Sequence, residues 1–388
     1  MLFRSALLPL LLASSSAAAQ APWKSSYFPY VLGNPADGAM LVLRWQRTRN
    51  APYFLSQSDT ADVVNPITFA GTASVEAAIG TLGSRFGRVE LRGPGLVHGW
   101  RVRGLASAER RARFGYYGLG GDVEQAESAI APNGDGFRVR RNRYYFQGEA
   151  TRTISGPFRL ALAATLDRTE LDQLSGQTLF RAEHPGNYRG TDFTVRPALV
   201  LDTRDYEATP SKGVLLEAGV GFGTGREPMT VEDTKSLYGF GYFHFRGYVS
   251  LREGTVVAVR ALVRSMETAA PLSARYTVPG WEREFGLAGW DGHRSFPEGA
   301  LAGTDFDLAT FEVRHDLLDV GDLGAVTLIA FADYAHVSDN RAHFRTETDQ
   351  WGGGGAVAIR ILRSAHLTMN FAGGKHGFNF SMGTNWGF

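Results

Sequence analysis

Phe378, Phe380, Met382, Thr384, Trp386 and Phe388 occupy every second position at the end of the chain. A period of two puts these side chains on one face of a β-strand. An apolar strand with a free edge is an aggregation hazard in a water-soluble protein. Pairing that edge with another strand of the same sheet removes the hazard and closes the sheet into a barrel. The C-terminal strand is therefore expected to close a barrel, and the rest of the sequence can be tested for one.

Segments alternating apolar and polar residues run through most of the chain. They lie at 40–47, 67–79, 88–103, 137–152, 158–169, 191–202, 214–222, 236–251, 255–266, 306–317, 325–337, 356–362, 367–372 and 378–388. That pattern gives about fourteen strands, within the range of membrane barrels. Phe193, Val195, Leu199 and Leu201 share one face of their segment, and Thr194, Arg196 and Asp202 the other. In a barrel such charges line the lumen while the apolar face meets lipid. Connection lengths favour this over a soluble sandwich. Short turns at 81–84, 154–156, 204–212, 252–254 and 319–324 alternate with long connections at 48–65, 104–136, 171–190, 223–235, 267–303 and 338–355. Short periplasmic turns and long external loops mark outer-membrane barrels. The run Trp351–Gly355 reads as the end of one such loop.

The N-terminus is consistent with that compartment. Arg4, the apolar stretch 6–13 and Ala17-Ala18-Ala19 form a secretory signal over residues 1–19. Residues 20–38, rich in Pro, Gly and Asn, read as a short periplasmic lead, and 39–388 as the barrel. The chain has no cysteine, so no disulfide framework holds it. No apolar run beyond the signal is long enough for a helical span. A net charge of +1 gives no electrostatic reason for a nucleic-acid partner.

The connection 267–303 is long for a compact domain, and such connections are functional or disordered. Trp281, Phe285, Leu287, Trp290 and Phe296 make this one too apolar for a solvated tail. It is expected to fold into the barrel lumen, where Arg294 needs an acidic partner. Asp333 supplies one. Val326, Leu328, Ala330 and Tyr334 take the lipid face of their strand, so Phe331 and Asp333 point inward. The run Leu201-Asp202-Thr203-Arg204-Asp205, followed by Pro210 and Gly213, reads as a strand end and a sharp turn. Asp202 and Asp205 have opposite parity and no histidine neighbour, which excludes a catalytic carboxylate pair there. The glycine runs lack the Lys-Ser/Thr of a phosphate loop. The histidines are scattered, and no Gly-x-Ser-x-Gly elbow is present. No catalytic residue, cofactor site or metal site is expected, and the chain does not read as an enzyme.

Several of these motifs resemble those of the bacterial surface-antigen superfamily, the BamA/TamA-like outer-membrane assembly barrels. The family's Asp-x-Arg-Asp turn with a later Pro and Gly matches Asp202, Arg204, Asp205, Pro210 and Gly213. Its apolar-Arg-Gly-Phe/Tyr loop motif matches partly at Arg294 and Phe296, with His293 and Ser295 as neighbours. Its Phe-x-Asp-x-Gly strand motif matches Phe331 and Asp333, with Ala335 at the Gly position. The resemblance implies sixteen strands, the extra pair lying before residue 37 or within 104–120. It also implies a loop–lumen latch of Arg294 with Asp333, flanked by Phe296 and Phe331. The C-terminal strand, with Phe380, Met382, Trp386 and Phe388, resembles the signal read by the barrel assembly machinery, which is then a partner during biogenesis. The remaining implied partners are outer-membrane lipid and client polypeptides. The implied function is insertion or translocation of polypeptides or lipids at the bacterial outer membrane. The alternative is a passive, pore-like or structural barrel. The family's periplasmic POTRA domains have no counterpart expected in this sequence.

Overall fold

Among the described residues, sixteen strands form one antiparallel sheet in sequence order. They are β1 Lys24–Asn34, β2 Gly38–Asn50, β3 Phe69–Gly80, β4 Arg85–Val97, β5 Trp100–Gly115, β6 Arg138–Ser155, β7 Phe158–Asp172 and β8 Tyr188–Asp202. The second half comprises β9 Gly213–Glu227, β10 Thr234–Arg252, β11 Thr255–Met266, β12 Asp305–Asp319, β13 Gly324–Ser338, β14 Asp349–Ile361, β15 Ala365–Gly374 and β16 Gly377–Thr384. The computed structural model describes residues 22–50, 69–120, 135–184, 186–207, 209–227, 234–320, 324–339, 349–361, 365–375 and 377–384. The signal segment, Trp386 and Phe388 lie outside them.

Polarity is inverted relative to a soluble protein. On β7, Leu160, Leu162 and Leu166 are about half exposed on the outside, while Arg159 and Asp167 are buried facing the lumen. Only a lipid-facing exterior makes that alternation favourable. Within the lumen, Trp281, Phe285, Leu287, Phe296 and Leu301 of the long loop pack against Val200, Leu215, Tyr238, Leu262 and Phe306 of the wall. The core of this barrel is therefore its plug.

Each strand is in ladder register with the next, from β1–β2 through β15–β16. The first and last strands lie side by side, but no ladder register joins them among the described residues. The barrel is closed except at this seam.

Four expectations need correction. Residues Lys24–Asn34, expected within the periplasmic lead, form β1. Its inward Tyr30 donates to Glu76 of β3 at 3.2 Å, so it is part of the wall. The seam consequently involves Lys24–Asn34. The segment 88–103 is a hairpin, split at His98-Gly99 into β4 and β5. Trp351–Gly355 is not a loop end, since it pairs with Ala330–Tyr334 inside β14. Finally, connection length does not sort the two ends over the whole barrel. Consecutive antiparallel strands put connection 51–68 at the same end as turn 203–212, and short turn 81–84 at the same end as the loop after β11. Between β4 and β14 the sorting also fails once, since connection 228–233 at the loop-bearing end has six residues and turn 203–212 at the other end has ten.

Candidate functional site

The loop between β11 and β12 crosses the lumen. Its two legs are tied where it enters, by the Met266 amide donating to the Thr304 carbonyl at 3.1 Å. A 3-10 turn at Leu272–Tyr276 leads into a two-residue ladder between Thr277–Val278 and Phe285–Gly286. An irregular backbone buried in a lumen must have its carbonyls satisfied, and wall arginines do this. Arg264 donates to the carbonyls of Ala274 (3.2 Å), Thr277 and Gly303, Arg260 to that of Asp291 (2.7 Å), and Arg196 to that of Gly280 (3.0 Å). These arginines come from inward positions of β8 and β11.

The loop tip is held by Trp281. Its amide donates to Glu217 at 2.7 Å and its indole Nε1 to Thr151 at 3.0 Å. The guanidiniums of Arg101 and Arg159 each lie about 5 Å from its ring centroid. Next to it Glu282 has φ 74°, a left-handed conformation that costs a non-glycine residue about 1–3 kcal/mol. Arg101 bridges from Glu207 (2.6 Å) to Glu282 (3.7 Å). Glu207 belongs to the turn at the opposite end of the barrel, so the loop tip reaches from one mouth to the other. Burial and the adjacent Glu207 carboxylate raise Glu282 to about 8. Burial alone would raise Glu207 as well, but Arg101 holds it below the usual carboxylate range.

Arg294 sits midway along the returning leg. Its Nη2 and Nε donate to the two carboxylate oxygens of Asp333 at 2.7 and 2.9 Å, and its amide to Asp333 at 3.1 Å. Nη1 donates to Glu312 of β12, which also pairs with Arg314 at 2.8 Å. The guanidinium stacks on Phe331 with 3.5 Å to the ring centroid, and Phe296 is buried alongside the ring of His293. Both partners of the ion pair are almost fully buried. A bidentate, desolvated pair of this kind is the strong form of the interaction. The residues after it reach the seam. Asn379 of β16 donates to the carbonyls of Arg294 (2.8 Å) and Phe296 (3.0 Å), and Ser295 donates to Gly373 of β15 (3.0 Å). A cavity of about 200 Å³ opens here, with Trp290, Phe296 and Phe380 among its lining. A family model for the Omp85 superfamily domain matches residues 93–386, covering this whole assembly.

The chain belongs to the Omp85 superfamily. Among solved structures, this Omp85 barrel is similar to BamA from Haemophilus ducreyi lacking POTRA domains 1–3. The TM-score is 0.52 and identity 13%, over 93% of this chain and 70% of that one. CdiB from Escherichia coli is also similar, with TM-score 0.55 and identity 11%, over 95% of this chain and 63% of that one. At such identities the likeness is one of fold. No curated protein matches the chain. The protein is an outer-membrane β-barrel of the Omp85 superfamily.

The turn motif of this Omp85 chain also comes together as a unit. Asp202 accepts from Arg204 Nε (2.8 Å) and Nη2 (3.0 Å) and from Arg159 (3.1 Å). Asp205 accepts from the Ser211 amide (2.9 Å), the Ser211 hydroxyl (2.5 Å) and the Lys212 amide (3.1 Å). Pro210 precedes Ser211, and Gly213 takes φ 95° where a Cβ would collide with the Thr203 carbonyl. On β16, Phe378, Phe380 and Met382 lie on the outward face, opposite buried Asn379 and Ser381. Sequence parity had placed Asp333 inward but did not single out Glu312, Asn379 or Glu207. Asn379 carried a signal, since it faces inward opposite the terminal aromatics.

Proposed function

We propose that this Omp85 barrel assists insertion or translocation of polypeptides at the outer membrane, with the seam between β1 and β16 as the route. The observation that carries this reading is the seam: among the described residues, every other neighbouring pair is registered along its ladder, and this one is not. Unpaired strand edges in hydrocarbon cost on the order of several kcal/mol per backbone group. A client strand pairing there satisfies those groups, so the same feature that weakens closure favours docking of an extended polypeptide. The plugged lumen is the observation that weighs against a passive pore. Trp281, Phe285 and Leu287 of the plug are all nearly solvent-free.

The absence of native cysteine makes the test clean. Cysteine pairs, one in Lys24–Asn34 and one in Gly377–Thr384, are screened for oxidative closure in cells. The expected result is a folded, crosslinked barrel with depleted levels of other outer-membrane proteins, restored by reductant. Unchanged levels with the seam fully crosslinked would overturn the reading.

A further inference from the structure

On the outward face of β3–β6, Arg85 of β4 stands directly opposite Arg110 of β5. Side chains so placed have Cβ atoms about 4.5–5.5 Å apart, and like charges there repel. Among the described residues neither guanidinium makes an ion pair, and Arg110 Nε is buried without a hydrogen-bond partner. The outward carboxylates of β7 do not compensate, because Glu170 pairs with Arg168 and Asp172 with Arg189. Two adjacent cations thus share an outer surface with no anion between them among the described residues.

Their depth is informative. Both lie at the end of the wall that carries the two longest connections, 116–137 and 267–304, which marks it as external. Towards the membrane interior the next outward residues along β5 are Ala108, Ala106 and Gly104, facing Gly87, Val89 and Leu91 of β4. On the other side stand Tyr144 and Phe146 of β6, more than half exposed. A Cβ added at Gly87 or Gly104 would meet nothing within 4 Å. Gly104, Ala106 and Ala108 leave a furrow about 13 Å long down β5, walled by Tyr144 and Phe146 on the β6 side and headed by two arginines.

We infer that Arg85 and Arg110 bind the phosphate of an outer-leaflet lipid whose acyl chain lies in the furrow along β5. The head and the furrow fit one molecule with an anionic group at the interface and an apolar tail beneath it. Guanidinium forks match phosphate oxygens, and a shared anion relieves the arginine pair. A soluble acidic peptide satisfies the charges but leaves the furrow to bulk lipid. The inference needs only the barrel and its membrane, so it stands or falls independently of client handling at the seam.

The full chain is reconstituted in phosphatidylcholine nanodiscs containing bisphosphorylated lipid A, dephosphorylated lipid A or phosphatidylglycerol. Lipid retained per barrel after detergent extraction is read by native mass spectrometry. Retention of bisphosphorylated lipid A is expected, falling about tenfold in Arg85→Gln/Arg110→Gln. It also falls in Ala106→Phe, which fills the furrow and keeps both charges. Inorganic phosphate in millimolar excess is expected not to displace the lipid. Equal retention of the dephosphorylated form, equal retention by the double variant, or displacement by free phosphate or an acidic peptide would each overturn the assignment. Heat-dependent gel migration of each variant confirms that the barrel is folded.

Discussion

Removing the Arg294 guanidinium is the most direct probe of what holds the loop in the lumen. In Arg294→Ala, Asp333 loses both side-chain hydrogen bonds of its bidentate partner, while Glu312 keeps Arg314. Asp333 is then a buried carboxylate without its main counter-charge, and breaking a buried pair this way costs about 3–5 kcal/mol. The contacts of Trp281 and of the wall arginines remain, so the loop stays docked most of the time. Its open population rises by between about a hundredfold and several thousandfold. A single Ala288→Cys, at a residue 3% exposed in the parent, reports opening through its rate of maleimide labelling. That rate is expected to rise by at least about a hundredfold in Arg294→Ala. A smaller rise is expected in Arg294→Lys, which retains the charge and loses the fork. A rate within about threefold of the parent, at unchanged heat-dependent migration, would refute the claim that this ion pair secures the loop.

Two further outcomes follow from the turn and the loop tip. Gly213→Ala forces a Cβ against the Thr203 carbonyl at φ 95°. It should cost about 1–3 kcal/mol, seen as a lower temperature for loss of the compact gel form; an unchanged temperature contradicts the turn geometry. Glu282, raised to about 8 by burial and by Glu207, holds a proton that the unfolded chain releases near pH 4.3. A raised carboxyl pKa contributes stability that is fully present below about pH 4 and is lost as pH climbs through about 8. Labelling of Ala288→Cys, corrected for the thiolate fraction of a free cysteine at each pH, should therefore quicken between about pH 4 and pH 8, and Glu282→Gln should flatten that dependence.

Most of the wall was legible because outward Leu and Phe alternate with inward Arg, Asp and Glu at large amplitude, as on β7 and β8. The strands that escaped detection lack that amplitude. On β1, Tyr27 and Val31 face out while Phe28 and Tyr30 face in, so apolarity marks both faces. The middle of the outer face of β5 carries Gly104, Ala106 and Ala108, which contribute little contrast to its inward charges. On β14 the glycines carry no side chain to register parity. The Arg294–Asp333 pair was accessible because parity sets which way each residue points. Glu312, Asn379 and Glu207 were not, because strand register and the depth of the loop tip come from tertiary packing.

The glycines of β14 bear on what this barrel would be without its loop. A Cβ at Gly352 would collide with Ser295 Oγ, and one at Gly374 on β15 would come 3.2 Å from the Ser295 Cβ. At these positions the wall has surrendered its own side chains, and a residue from another part of the chain stands in for them. A variant with the loop excised is thus not the same wall with an empty bore. It has bare backbone facing the lumen beside the seam, where the sheet is already least secured. Plug and wall form a single structure, and enlarging Ser295 is expected to disturb β14 and β15 even though it belongs to neither.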